Sequence, residues 1–324
     1  MNLKQYGVSP NMEKEVSYRF IAHLTGLLLA FESMLLLACC CVSMIYGERD
    51  LMSFVISFAV CLSVSAILLI YGRRKKCAMS RNEGYIVVAL SWVLFSVFGM
   101  VPYLWGGFIP NITDAFFETM SGFTTTGATI LDNIESMPHG ILFWRSLTQW
   151  IGGLGIVCFT IVLLPGFGAS SQMLYLSEAT GVTHNKIYPK TRVMARYIFM
   201  VYILLTAIES ALLMAGGMGL FDAVCHSMTT TATGGFSTKQ ESIAYWHSPY
   251  MEYVVSIFML LSAINFSLYI VAFKSKWKKL REFVELKWFA CSVGLLTLII
   301  SAVLSLNNGY SAEEAFRKSL FQVA

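Results

Sequence analysis

The chain has 324 residues, 56% hydrophobic and only 13% charged, with a mean hydropathy of +0.64. That apolar excess excludes an ordinary water-soluble domain and places the chain in the membrane class. The formal net charge of +4 is gathered in a few loops and gives no sign of nucleic-acid binding.

In chain order, apolar runs predict membrane helices over 20–46, 51–71, 84–106, 141–166, 193–216, 249–273 and 286–306. Each is near the length that a hydrocarbon core of ~30 Å requires. The first run carries His23 and Glu32 and lacks a small-residue cleavage site, so it reads as a retained span rather than a signal peptide. Of the eight cysteines, Cys39, Cys40 and Cys41 are consecutive, Cys61, Cys158 and Cys291 lie in other apolar runs, and no C-x-x-C pair occurs. Packed or lipid-facing thiols are expected, not disulfides or metal ligands.

The loops alternate in charge. Segments 1–19, 72–81, 168–196 and 274–287 hold eighteen Lys and Arg, among them "GRRKK" (72–76) and "KSKWKKLRE" (274–282). The opposite set, 47–50, 107–139, 217–248 and 307–314, holds two, Arg49 and Lys239. Basic loops stay in the cytoplasm, which predicts a cytoplasmic amino terminus. The same loops either fix topology alone or also meet anionic lipid or a cytosolic partner.

Two threonine-rich stretches, "MSGFTTTGATI" (120–130) and "SMTTTATGGFST" (227–238), occupy matching places between helices. An offset of 108 residues superposes Asp114-Ala115 on Asp222-Ala223, Met120 on Met228, Thr125 on Thr233 and Gly127 on Gly235. Aligning the threonine triplets instead needs an offset of 105 and pairs Gly127 with Ala232. The glycine register is preferred, and it implies a duplicated helix–hairpin–helix unit.

"DAFFETMSGF" (114–123) reads as a short helix with Asp114 as its N-cap. At ~1.5 Å per residue it spans about 15 Å, enough to enter a membrane but not to cross it. The chain must then return as non-helical backbone, which membranes tolerate only inside protein or along a water-filled path. A short helix pointing inward aims its carbonyl end, the negative end of its dipole, at the protein centre. Extended Thr-Thr-Gly can continue that row of carbonyls, with glycine permitting unusual backbone angles. Carbonyl rings of this kind replace the hydration shell of a monovalent cation. No acidic side chain occurs in 124–129 or 232–238, which favours K⁺ or Na⁺ over a divalent ion.

Other polar positions are read more plainly. "GGLG" (152–155) lies within a helix and indicates close helix packing rather than a dinucleotide loop. Glu32 and Glu209, inside spans, are either proton or cation relay sites or buried hydrogen-bonding groups. His226, at the position of Glu118 in the first repeat, is expected to pack the pore helix. Arg145 is expected to anchor at the membrane interface, and "NIT" (111–113) matches a glycosylation acceptor by chance. No His or Lys recurs beside both loops, so the nucleophile–base pairing of an intramembrane enzyme is missing.

"FFETMSGFTTTGATI" and "SMTTTATGGFST" resemble the first and second filter loops of the Trk/Ktr/HKT superfamily of potassium transporters. "FWRSLTQWIGGLGI" (143–156) and "MLLSAINFSLY" (259–269) resemble the helices that follow those loops, and the two leading helices favour the bacterial TrkH branch. The resemblance implies an all-α integral membrane protein of repeated, potassium-channel-like helix–pore loop–helix units with two extra N-terminal transmembrane helices. Its divisions would be a two-helix region at 1–76, pore-loop repeats at 77–185 and 186–282, and an incomplete third repeat at 283–324. Thr125, Thr126, Gly127, Thr233, Gly234 and Gly235 would be the filter residues, the carbonyls of Thr125, Thr126, Thr233 and Gly234 holding K⁺ as the transported ion. Glycine at 127, where Na⁺-conducting plant relatives carry serine, implies K⁺ preference.

The implied assembly is a homodimer in the bacterial inner membrane with a cytosolic nucleotide-binding regulatory subunit of the TrkA kind, whose docking faces would be 168–196 and 274–287. No organic cofactor is implied. "AEEAFRKSLFQVA" (312–324) resembles the start of a third pore helix. The chain would then be part of a longer transporter, with a two-repeat half-channel that dimerises, or a non-conducting scaffold, as the alternatives.

Overall fold

The computed structural model describes residues 16–72, 81–155, 191–266, 268–269 and 283–324. The basic stretches around 73–80, 168–190 and 274–282, with the far ends of the spans expected over 141–166 and 249–273, lie outside them. Every regular element among the described residues is helical.

Two helices, α1 (Tyr18–Tyr46) and α2 (Leu51–Tyr71), form an antiparallel hairpin. Small and polar residues let their backbones approach. Ser65 Oγ donates to the Gly26 carbonyl at 2.7 Å, and Cys61 Sγ to the Leu29 carbonyl at 3.3 Å. Gly47 ends α1 in the left-handed conformation, φ 65°, with its N–H on the Ser43 carbonyl. The six described cysteines are all free.

The next span is broken once. Helix α3 (Arg81–Gly99) is followed after Met100 by α4 (Val101–Trp105), whose Pro102 supplies no N–H to a continuing ladder. A short helix, α5 (Ile112–Phe123), then precedes the first threonine loop, and α6 (His139–Leu154) follows it. The unit recurs as α7 (Thr191–Ala215), α8 (Leu220–Thr231), the second threonine loop and α9 (Pro249–Ala263). Helices α10 (Val284–Asn308) and α11 (Ala312–Val323) complete the described chain.

Among the described residues, five helical stretches are long and apolar enough to cross a membrane: Tyr18–Tyr46, Leu51–Tyr71, Glu83–Trp105, Ala195–Ala215 and Val284–Asn307. The two expected long spans after the loops differ. Helix α6 closes at Gly155, which adopts φ 75°, and α9 closes at the extended residue Ile264. Both stops sit within apolar sequence, so hydropathy carries no trace of them.

Helix α6 packs on α1, α5 and α8 and so holds the middle of the molecule. Its start is unusual because the N-cap is Pro138, which has no capping side chain. Glu48, from the α1–α2 turn, supplies the missing acceptor to the His139 N–H and pairs with His139 Nδ1 at 2.8 Å. Asp50 is fully buried beside Gly140, and neither of its oxygens closes a hydrogen bond. A side chain at Gly140 would overlap both Asp50 and Ser43.

Burial pushes the Asp50 carboxyl above the ordinary carboxylate range, and the charge of Glu48 adds to the rise. A carboxyl that binds its proton more tightly folded than unfolded costs stability as pH rises from its unfolded value through its folded one. Thermal unfolding in detergent should therefore show a smaller fall in midpoint from about pH 4, the ordinary Asp range, to neutrality for Asp50→Asn than for the parent chain. An equal or larger fall would show that Asp50 is not the group responsible.

Candidate functional site: paired threonine–glycine loops

The two loops repeat each other bond for bond at the offset of 108. Helix α5 ends with the Thr125 N–H on the Gly122 carbonyl at 3.0 Å and the Thr126 N–H on the Ser121 carbonyl at 2.9 Å. Helix α8 ends with the Thr233 N–H on Thr230 at 2.9 Å and the Gly234 N–H on Thr229 at 2.9 Å. These are Schellman closures, which require a left-handed residue at the position after the cap. That residue is Thr125, φ 53°, in the first loop and Thr233, φ 56°, in the second. Two residues on, Gly127 and Gly235 are also left-handed, at φ 76° and 82°. The expected glycines thus share their conformation with threonines. For a β-branched residue that conformation is a strained outlier of the kind that persists only where surrounding structure enforces it.

The closures use the last helical carbonyls and free the ones beyond. Among the described residues, no donor bonds the carbonyls of Thr124, Thr125, Thr126 or Gly127, nor those of Ala232, Thr233 or Gly235. Two first-loop hydroxyls form a chain, the Thr124 hydroxyl donating to the Met120 carbonyl at 2.7 Å and accepting from the Thr126 hydroxyl at 2.8 Å. Gly234 is the exception, since its carbonyl accepts from Gln149 Nε2 at 2.9 Å. The loops also meet: a Cβ on Gly127 would overlap the Gly234 carbonyl oxygen. All six residues expected to form the filter therefore belong to two adjoining, partly exposed strips of backbone.

Helix caps differ from expectation at one point. Asn111, not Asp114, caps α5, its side chain accepting the Thr113 N–H at 2.9 Å. Asp114 lies in the first turn, where its charge still complements the helix dipole. Sequence spacing alone does not separate the two, because both residue types suit either place.

The largest correction concerns Arg145, which is 1% exposed and no interface anchor. Its Nε donates to Glu118 Oε1 at 2.8 Å, its Nη2 to Thr129 Oγ1 at 3.2 Å and its Nη1 to the Ser237 carbonyl at 3.0 Å. Its face covers the Phe236 ring at 4.3 Å. Glu118, wholly buried, also accepts from the Thr129 hydroxyl at 2.9 Å and the Ile130 N–H at 3.0 Å. One guanidinium thus ties the return strand of the first loop to that of the second.

His226, at the Glu118 position of the second repeat, does the equivalent work without a charge partner. Its Nδ1 faces the Asp222 carbonyl at 2.8 Å and its Nε2 faces Ser237 Oγ at 2.9 Å. A carbonyl can only accept, so Nδ1 carries the proton, and in the neutral ring Nε2 then accepts from the Ser237 hydroxyl, whose oxygen also accepts the Lys239 N–H.

Gln149 escaped notice in the sequence. Fully buried, it accepts the Phe236 N–H at 2.9 Å on Oε1 while donating to Gly234 from Nε2. The signal available was an amide inside an apolar helix one turn beyond Arg145. The small residues behave as expected of close packing. Gly152 lies so near the Phe123 carbonyl that a Cβ would overlap it, and Gly153 fits against Ala232 and Tyr202.

Glu32 and Glu209 are both fully buried. Cys61 Sγ lies 4.0 Å from Glu32 Oε2.

Removing one member of a buried ion pair leaves the other uncompensated and costs about 3–5 kcal/mol. Arg145→Ala or Glu118→Ala should lose stability on that scale in denaturant titrations in detergent, whereas Glu118→Gln, which keeps acceptor and shape, should lose less. Gly152→Ala should cost about 1–3 kcal/mol by overpacking, because the atom it meets is backbone and cannot step aside. Equal stability of Gly152→Ala and the parent would remove that contact from the account.

Comparison with known proteins gives one consistent result. The family described as TrkH, cation transport protein, matches residues 50–306. The chain is 36% identical over 313 residues to the Trk system potassium uptake protein TrkH of Salmonella typhimurium, covering 94% of this chain and 64% of that one. It is 34% identical over 308 residues to the Trk system potassium uptake protein TrkG of Escherichia coli, covering 94% and 63%. The crystal structure of the potassium transporter TrkH from Vibrio parahaemolyticus superposes with a TM-score of 0.81 at 34% identity, covering 95% of this chain and 64% of that chain. The chain spans just under two thirds of the length of these relatives. With its helical spans and paired loops, it belongs to the TrkH family of cation transport proteins.

Proposed function

We propose that this chain carries K⁺ across the membrane as the pore-forming part of a Trk-type uptake system, supplying two quarters of a carbonyl-lined filter. The observation that carries the reading is the pair of matched loops in which, among the described residues, no donor bonds the carbonyls of Thr124 to Gly127 or those of Ala232, Thr233 and Gly235. Free carbonyls replace the water around a cation at little cost once the backbone is already folded to present them. Arg145 and Gln149 do that folding in advance. Thr125, Thr126, Gly127, Thr233, Gly234 and Gly235 are the ion-lining residues in this reading. Gly234 has one carbonyl lone pair engaged by Gln149 and the other left for an ion.

The relatives named as Trk system potassium uptake proteins support K⁺ as the transported ion. The charge bias of the loops supports a cytoplasmic amino terminus, and an inner-membrane location rests on the family resemblance. A homodimer with a nucleotide-binding cytosolic partner belongs to the same proposal and rests on family resemblance.

Anything that binds the folded state alone raises its stability. Purified protein should therefore gain thermal midpoint with added K⁺ and less with Na⁺ at equal ionic strength. Indifference to both would favour a non-conducting scaffold. Gly127→Ser places an atom against the Gly234 carbonyl and removes the residue suited to φ 76°. It should lower the K⁺ over Na⁺ preference of flux into liposomes, and unchanged selectivity would contradict the assignment of Gly127 to the filter.

A further inference from the structure

Glu209, on α7, is fully buried, and among the described residues neither of its carboxyl oxygens has a hydrogen-bond partner. The carboxyl faces the side chains of Thr230 and Thr231, the last two residues of α8, without closing a bond to either. Thr231 Oγ1 is itself buried and unpartnered. Three unpaired oxygens therefore share one enclosed place at the carbonyl end of the second pore helix. That end is also the start of the filter turn, since the Thr230 carbonyl holds the Thr233 N–H and Thr229 holds Gly234. Thr230 additionally lines a cavity of about 660 Å³ bordered by Thr233, Gly234 and Gly235.

The first repeat shows that packing does not require polarity here. At the offset of 108, Thr230 and Thr231 correspond to Gly122 and Phe123. Phe123 is sealed in an aromatic cluster with Phe95 and Trp144, at centroid distances of 5.3 and 6.0 Å. Where one repeat has rings, the other has an acid and two hydroxyls. An unpaired carboxylate at the C-terminal end of a helix faces the negative end of the dipole, and burial shields it from bulk water. A proton removes both penalties and lets the acid donate to Thr231.

Charged neighbours do not supply the missing partner. On α8, His226 is bonded to Asp222 and Ser237, and Cys225 lies a turn before the threonines. On α9, Tyr250 donates to the Leu212 carbonyl, while Glu252 and Tyr253 engage Arg317 and Glu313. On α6, Arg145 is committed to Glu118, and on α7 Tyr202 is committed to the Trp150 carbonyl.

We propose that Glu209 is a proton-binding site and a positioning residue for the second filter loop. As the neutral acid it hydrogen-bonds Thr231 and holds the α8 end in register. On losing its proton to water, it leaves a negative charge beneath the loop and shifts Thr230 and the turn built on it. Only the transport consequence rests on the potassium reading; the protonation of Glu209 does not.

The test has two arms, both on the protein in its native oligomer with all subunits. In difference infrared spectra recorded across a pH titration, the parent should show the carbonyl stretch of a buried carboxylic acid. That band should be lost in Glu209→Gln and shifted in Thr231→Val. K⁺ flux into liposomes should vary with pH in the parent and be flattened in Glu209→Gln at the level the parent reaches on its acidic side. Absence of a Glu209-dependent band at every pH would overturn the proton site. A band whose titration leaves the pH profile of flux the same in parent and variant would overturn its link to the filter. If no K⁺ flux occurs at all, the potassium reading fails, and the infrared arm still decides the proton site.

Discussion

A guanidinium buried without water must find a partner for its charge and its N–H groups inside the protein, and that constraint organises the centre of this molecule. Arg145 meets it by reaching Glu118 and Thr129 on one loop and Ser237 and Phe236 on the other. The group is planar and rigid, so the bonds it makes fix distance as well as attraction. Further along α6, Gln149 holds Gly234 and Phe236, while Gly152 and Gly153 admit the ends of α5 and α8. Positions 145, 149, 152 and 153 share one helix face. That face is the template on which both strained loops are laid, which explains how Thr125 and Thr233 persist at positive φ.

The two repeats solve the same local problem with different chemistry. Each return strand needs a group from its own pore helix to hold it, and Glu118 with Thr129 and His226 with Ser237 are the two solutions. A carboxylate in that place demands a cation, whereas a neutral imidazole does not. The arginine is accordingly found after the first loop, and α9, after the second, contains none. The guanidinium then spends its remaining donor on the second strand, so the asymmetry in side chains preserves symmetry in backbone.

Much of this was legible in the sequence, and the gaps have physical causes. Apolar runs marked the spans because lipid admits little else, and Gly127 with Gly235 marked the register because left-handed backbone favours glycine. The pairing of Arg145 with Glu118 was not legible, since the partners are 27 positions apart and a lone arginine near a helix start looks like an anchor. Gln149 was hidden for the same reason, its partners lying 85 and 87 positions away. The helix stops at Gly155 and Ile264 fall in apolar sequence, where hydropathy reports solvent preference and not backbone path. Threonine in the left-handed region goes against its own propensity, and only tertiary enforcement produces it.

The shared arginine has a consequence for how this chain has been free to change. A duplicated unit begins as two self-sufficient copies, each able to drift alone. Once a single guanidinium serves both return strands, that independence ends. A substitution in the first pore helix at Glu118 alters the footing of the second loop through Arg145. The two repeats have become one heritable unit, and mutations accepted in either depend on the genetic background supplied by the other.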